Sequence, residues 1–174
     1  SLRVRLYPQD YGWDKALRWQ TQVPNALLDT GQEALYGAIA RSRLCVSTYN
    51  ATTFLETMTM NVPTVMYWNP LLWELNEGAR PVFDELRRAG VLFDDPKACA
   101  AHVNDVWSDV SEWWQTEAVR NATSLLLNSY ARVGARPLRQ LRDELKRTLR
   151  RSAENRAVVR TDMETFRSDP QSRN

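Results

Sequence analysis

The segment "LCVSTYNATTFLETMTMNVPTVMYWN" (residues 44–69) limits the fold more than any other. Two apolar runs, "LCV" and "VPTVMYW", flank "ATTFLETMTM", whose apolar residues fall at helical spacing. Strand, helix and strand joined by short loops make the two strands run parallel, with the helix crossing over one sheet face. The same alternation precedes it. "RVRLYP" (3–8) predicts a strand stopped at Pro8, "KALRWQTQ" a short helix ended by Pro24, and "NALLDTG" (25–31) a second strand with its turn. "QEALYGAIARSR" predicts a helix carrying Ala34, Leu35, Ala38 and Ile39 on one face. The expected fold class is α/β: a doubly wound parallel sheet with helices on both faces and a helical C-terminal extension.

Beyond Asn69 the chain turns helical. "LLWELNEGARPVFDELRRAG" leads into a short extended "VLF", and Asp95 with Pro96 marks a capped helix start. "DVSEWWQTEAVRNATSLLLNSYAR" predicts one long helix closed by Gly134, and Asn61 is a candidate left-handed residue closing the helix before it. These elements make up a domain over residues 1–135. Residues 136–174 form an Arg-rich tail with weak apolar periodicity, expected as a frayed helix to about Arg151 and then disorder.

Composition narrows the function classes. With 174 residues, 43% hydrophobic and 25% charged, the chain can bury a core without staples. Residues 1–134 hold 12 Lys and Arg against 15 Asp and Glu, whereas residues 135–174 hold 11 against 6. The basic balance therefore belongs to the tail, and nothing in the body points to nucleic acid. Cys45 and Cys99 are too few for a disulfide framework or a zinc site. No signal segment and no apolar run of roughly 18 residues occurs, so a cytoplasmic, reducing location is expected. The chain opens with Ser in what reads as a strand, so a longer protein with a preceding domain is also expected.

The polar cluster Ser47, Thr48, Asn50, Thr52 and Thr53 stands where a strand hands over to a helix, and in parallel sheets ligands bind at that edge. Asn50 as N-cap would place Ala51, Thr52 and Thr53 in the first turn. Their free N–H groups, the Thr hydroxyls and the helix dipole would then meet an anion. Ala51, Phe54, Leu55 and Met58 would bury, leaving Thr52, Thr53 and Glu56 on the other side. A carboxylate there can accept two hydrogen bonds from a vicinal diol, so phosphate and diol together outline a nucleoside diphosphate. The same residue types gather at helix starts for structural reasons alone, and that reading stands beside the first. No G-x-G-x-x-G and no Walker A loop is present, which argues against NAD-type and P-loop chemistry.

The order strand, polar loop, helix with Glu56, then Pro63 opening the next strand, resembles the C-terminal nucleotide-binding domain of GT-B glycosyltransferases. "VRLYPQDYGW", "STYNATTFLETMTMNVPTVMYWNPLLWEL" and "VNDVWSDVSEWW" more narrowly resemble the LIC12162 family of transferases, bacterial proteins linked with surface-carbohydrate synthesis. That resemblance covers residues 2–135. It implies a Rossmann-like domain whose helix start at Asn50, Ala51, Thr52 and Thr53 holds the donor diphosphate and whose Glu56 holds the ribose. It also implies a nucleotide-sugar donor as substrate, no resident cofactor or metal, and a catalytic base on a partnering N-terminal Rossmann-like domain. Asp-x-Asp, the usual metal-holding motif, is absent.

Lys15 and Arg18 follow the first strand's loop and can reach a diphosphate, or they line a solvated helix face. Asp10, Tyr11, Trp13, Trp68 and Asn69 stand at strand ends as candidate cleft residues, with simple turn and packing roles as the alternative. His102, the single histidine, sits among alanines in a helix and reads as structural. The tail is a candidate for contact with an anionic membrane, at the inner face, or with a partner domain. Two rival functions fit the same residues: a transferase of polyol phosphates with the same C-terminal architecture, and a non-catalytic protein-interaction domain.

Overall fold

A computed structural model describes residues 1–132, 134 and 136–168, with side chains as far as Ser152. Along the chain come β1 (Arg3–Arg5), α1 (Lys15–Gln22), β2 (Leu27–Asp29), α2 (Leu35–Ala40), β3 (Cys45–Ser47) and α3 (Thr53–Thr59). Then follow β4 (Thr64–Tyr67), α4 (Arg80–Arg88), β5 (Leu92–Phe93), α5 (Pro96–Val106), α6 (Val110–Gln115), α7 (Glu117–Tyr130) and α8 (Pro137–Ser168). Residues 1–131 form one unit and residues from Arg132 onward a second.

Every strand pairing is parallel, as crossovers long enough to carry a helix allow. The ladder is divided, however: β1 pairs with β2, and β3, β4 and β5 form a separate sheet in that order. The expected single sheet is thus two small ones. A central strand buried on both faces needs a continuous apolar run. Central β4 comes near to one, with Val65 and Met66 fully buried and Thr64 buried with its hydroxyl hydrogen-bonded. By contrast β1 alternates Arg3, Val4 and Arg5, and its two guanidiniums go to Glu33 and Asp29 on one face.

The core lies around β4. Phe54 and Met58 from α3, Phe83 and Leu86 from α4, Trp114 from α6, and Val119, Ala122 and Leu126 from α7 pack about Met66 and Leu92. The α7 residues recur at i, i+3 and i+7, one helical face turned inward. Inside this core the Thr57 hydroxyl donates to the Phe54 carbonyl, and Thr64 Oγ1 lies 2.8 Å from Thr57 Oγ1, so neither buried hydroxyl lacks a partner. Pro63 stands just before β4, where its missing N–H costs no ladder bond, and its carbonyl accepts from Cys45 N–H.

Local signals were kept where the chemistry is local. Asp95 accepts from Ala98 N–H at 2.7 Å and caps α5 with Pro96 in its first turn. Asn61 is left-handed at φ 55 and closes α3, while its side-chain oxygen accepts from Trp114 Nε1. Other boundaries moved. The single helix expected over 109–132 breaks at Thr116, extended at ψ 147, whose hydroxyl donates to the Trp113 carbonyl. The break lets Trp114 and Val119 both enter the core. Gly134 does not close the second piece, which ends at Tyr130 with Ala131 as its cap. The tail is helical through Ser168, well past the expected fraying point near Arg151; residues 169–174 lie outside the described residues.

His102 is half-buried between the rings of Phe93 (centroids 5.1 Å apart) and Trp113 (5.2 Å), and its Nε2 has no acceptor or donor among the described residues. Burial lowers its pKa below the usual value, with the Asp105 carboxylate partly opposing. The fold therefore prefers neutral imidazole. Stability from this site is present above the unfolded-state pKa of about 6.5 and is lost as pH falls from there towards the lower folded value. Between pH 7.5 and pH 5.5 the unfolding midpoint in urea is expected to drop for the wild type and to change less for His102→Phe. Parallel drops in both proteins would show that carboxylates, not His102, carry the dependence.

Candidate functional site

The carboxyl ends of β3 and β4 present the loop 48–52, the first turn of α3 and the loop 68–79. The helix starts two residues later than an Asn50 cap would allow. Ala51 N–H donates to the Tyr49 carbonyl at 3.0 Å, closing a tight turn, and Thr52 takes the N-cap position with helical φ −73 and ψ −20. No side chain caps α3. Asn50 is therefore not the cap, and Ala51 is withdrawn from the set of free donors. Thr52 and Thr53 remain there, with the first-turn N–H groups that have no intrahelical acceptor.

Glu56 ends that first turn, four residues after exposed Thr52 and three after half-buried Thr53. Phe54, Thr57 and Met58 take the buried face, and Glu56 lies on the opposite side of the helix, between exposed Thr59 and Met60 around its circumference. The residue as a whole is half-buried, and its carboxylate makes no ion pair or hydrogen bond with the described residues. Its acceptor positions are therefore open to an incoming hydroxyl pair.

The two strand-end loops meet through aromatic rings. Tyr49 and Trp73 lie 6.1 Å apart at a 45° tilt, and both are exposed. Asn69 shapes the second loop: its side-chain oxygen accepts from Leu71 N–H at 2.9 Å, and its carbonyl from the N–H groups of Leu72 and Trp73. Trp68 does not reach this edge. It is 1% exposed and packs against Phe54 and Phe83 in the core, because a residue continuing the doubly buried β4 has no solvent face to turn to. The sequence singled out Trp68 and passed over Tyr49, although both flank the same loops.

After β1 a second cluster forms. Asp10 accepts from Trp13 N–H at 3.1 Å, and Gly12 and Asp14 are left-handed at φ 78 and φ 47. Tyr7, Tyr11 and Trp13 stand exposed with ring centroids 6.2 and 5.7 Å apart along the series. The neighbouring Tyr7 phenol and slight desolvation raise the Tyr11 pKa, so Tyr11 stays a neutral donor. Lys15 donates to the carbonyls of Tyr7 (3.1 Å) and Gln9 (2.7 Å), with its ammonium over the Tyr7 ring. It fastens this loop and has one proton left for a ligand. Arg18 is exposed and has no ion-pair partner among the described residues. No hydrogen bond, ion pair or ring contact joins this cluster to α3 among the described residues.

A family model for LIC12162 family transferases matches residues 1–145, all of the first unit and the first turns of α8. The chain belongs to the LIC12162 family of transferases. No curated protein and no solved structure matches it. In this LIC12162-family chain, sulfur nucleophiles are poorly placed for group transfer: burial raises the pKa of both Cys45 and Cys99, keeping them thiols. Among the described residues no three His, Cys, Asp or Glu side chains gather as a metal site, and no helix is long and apolar enough to cross a membrane.

Proposed function

We propose that this LIC12162-family chain is the donor-binding half of a GT-B-type glycosyltransferase serving surface-carbohydrate synthesis. The observation that carries the reading is the carboxylate of Glu56, which has no partner among the described residues, at the carboxyl edge of a parallel sheet. Family membership as a transferase supports it. In this reading Glu56 accepts the two ribose hydroxyls, and Thr52 and Thr53 with their N–H groups hold the diphosphate. Lys15 and Arg18 offset its charge. Tyr11, Trp13, Tyr49 and Trp73 offer exposed ring faces to a sugar. The base that activates the acceptor comes from a second domain.

Calorimetric titration with UDP, GDP, CDP and CMP tests this. One nucleotide is expected to bind, and Glu56→Ala to weaken it at least tenfold, about 1.4 kcal/mol. Because Glu56 has no partner to lose, the same substitution is expected to leave the unfolding midpoint unchanged or raise it slightly. Lost affinity would then not be lost folding. Selective binding of CMP or CDP would move the donor class towards polyol phosphates. No binding by the folded chain at millimolar nucleotide overturns the donor-site role.

A further inference from the structure

The sequence "PLRQLRDELKRTLRR" repeats one unit four times: leucine followed by a cation, at Leu138-Arg139, Leu141-Arg142, Leu145-Lys146 and Leu149-Arg150. All four lie in α8. At 3.6 residues per turn the leucines fall within about 80° of arc, and the cations form a parallel row one residue further round. The leucines stand 81%, 57%, 55% and 69% exposed. Residues 137–152 carry six Lys and Arg against two acids, Asp143 and Glu144. Both acids are already paired, Asp143 with Arg142 and Glu144 with Arg147. Arg139, Lys146 and Arg150 have no ion-pair partner among the described residues.

An exposed leucine row bordered by cations is the pattern of a helix lying in the plane of a lipid interface. The segment is too charged to cross a bilayer. Charge also selects among occupants. A second copy of α8 would bring another segment of net +4 alongside this one, whereas anionic headgroups complement the cation row and the acyl boundary takes the leucines. We propose that residues 137–152 dock the protein on a bilayer containing anionic lipid, leucines inward and the row from Arg139 to Arg150 on the headgroups.

The test is co-sedimentation of the full chain with vesicles of phosphatidylcholine alone and of phosphatidylcholine with one quarter phosphatidylglycerol. Binding is expected only to the anionic vesicles and to weaken as salt rises. Substituting Arg139, Lys146 and Arg150 together by Gln should lower partitioning roughly fivefold per cation, on the order of a hundredfold in all. Leu141→Glu with Leu145→Glu should lower it more than tenfold. These side chains are exposed, and unchanged far-ultraviolet circular dichroism would confirm that the variants fold. Any of three results overturns the proposal: equal binding to both vesicle types, no binding at millimolar anionic lipid, or binding indifferent to the leucines. A dimer in sedimentation equilibrium that the leucine pair dissolves, without vesicle binding, would assign the face to a second copy instead.

Discussion

Trp68→Ala is expected to lower the free energy of unfolding by about 4 kcal/mol, a large share of the roughly 5–15 kcal/mol that holds a domain together. The indole is 1% exposed and lies 5.8 Å from the Phe54 ring and 5.9 Å from that of Phe83, which are themselves 6.3 Å apart. This triangle ties the end of β4 to α3 and α4. Its removal leaves a cavity that helices fixed on several sides cannot fill. Trp68→Phe should cost far less, about 1–2 kcal/mol. It keeps a ring in place and removes a buried Nε1–H that has no acceptor among the described residues. Urea unfolding followed by tryptophan fluorescence reads both, because all seven tryptophans lie within residues 13–114. Since Phe54 sits two residues before Glu56, the alanine variant should also lose nucleotide affinity, and the phenylalanine variant should keep it. A loss of stability below about 1 kcal/mol in Trp68→Ala would remove Trp68 from the core and return it to the cleft.

Trp68 also shows what the sequence could and could not convey. The alternation of short apolar runs with helical segments gave parallel strands, because an intervening helix returns the chain to the end where the next strand starts. Asp95 with Pro96, and Asn61 beyond α3, were legible since a cap depends on residues two or three apart. The place of Glu56 in the first turn of α3, three residues after Thr53, was legible in the same way. The start of α3 was not. It depends on the turn at Tyr49 to Ala51, beside a ring from the next strand's loop, Trp73. Nor was the break at Thr116, which serves Trp114 and Asn61, 53 residues apart in sequence. The direction of Trp68 was hidden for a like reason: only the place of β4 between two neighbours shows that its continuation has no outer face. In the tail the charges masked a leucine row that exposure makes plain.

Asp29→Ala is expected to cost about 3 kcal/mol, as removal of one member of a buried pair does. Asp29 is 5% exposed at the end of β2. One carboxylate oxygen accepts from Arg5 at 3.0 Å, and the other from the N–H of Gly31, a left-handed residue at φ 95 that turns the chain after the strand. Arg5 keeps a second bond to the Glu33 carbonyl at 2.8 Å and is about one-third exposed, so it would be rehydrated in part. The cost should therefore fall at the low end of what a wholly buried pair shows. Asp29→Asn retains an oxygen for Gly31 and should cost about half as much. The loss should be local. With three residues in each strand, β1 and β2 have few ladder bonds of their own, so this pair supplies much of their attachment. Amide hydrogen exchange in the alanine variant should accelerate at Leu6, whose N–H donates to the Asp29 carbonyl, more than at Met66, whose N–H donates to Val91 inside the larger sheet. Equal acceleration at both would mean that the two sheets open as one cooperative body. A cost below about 1 kcal/mol would mean that water already serves the Asp29 carboxylate. With exchange confined to the smaller sheet, the loop carrying Tyr11 and Trp13, with Lys15 at the start of α1, would be the part of the site that Asp29 holds in place, and Glu56 would stand independently of it.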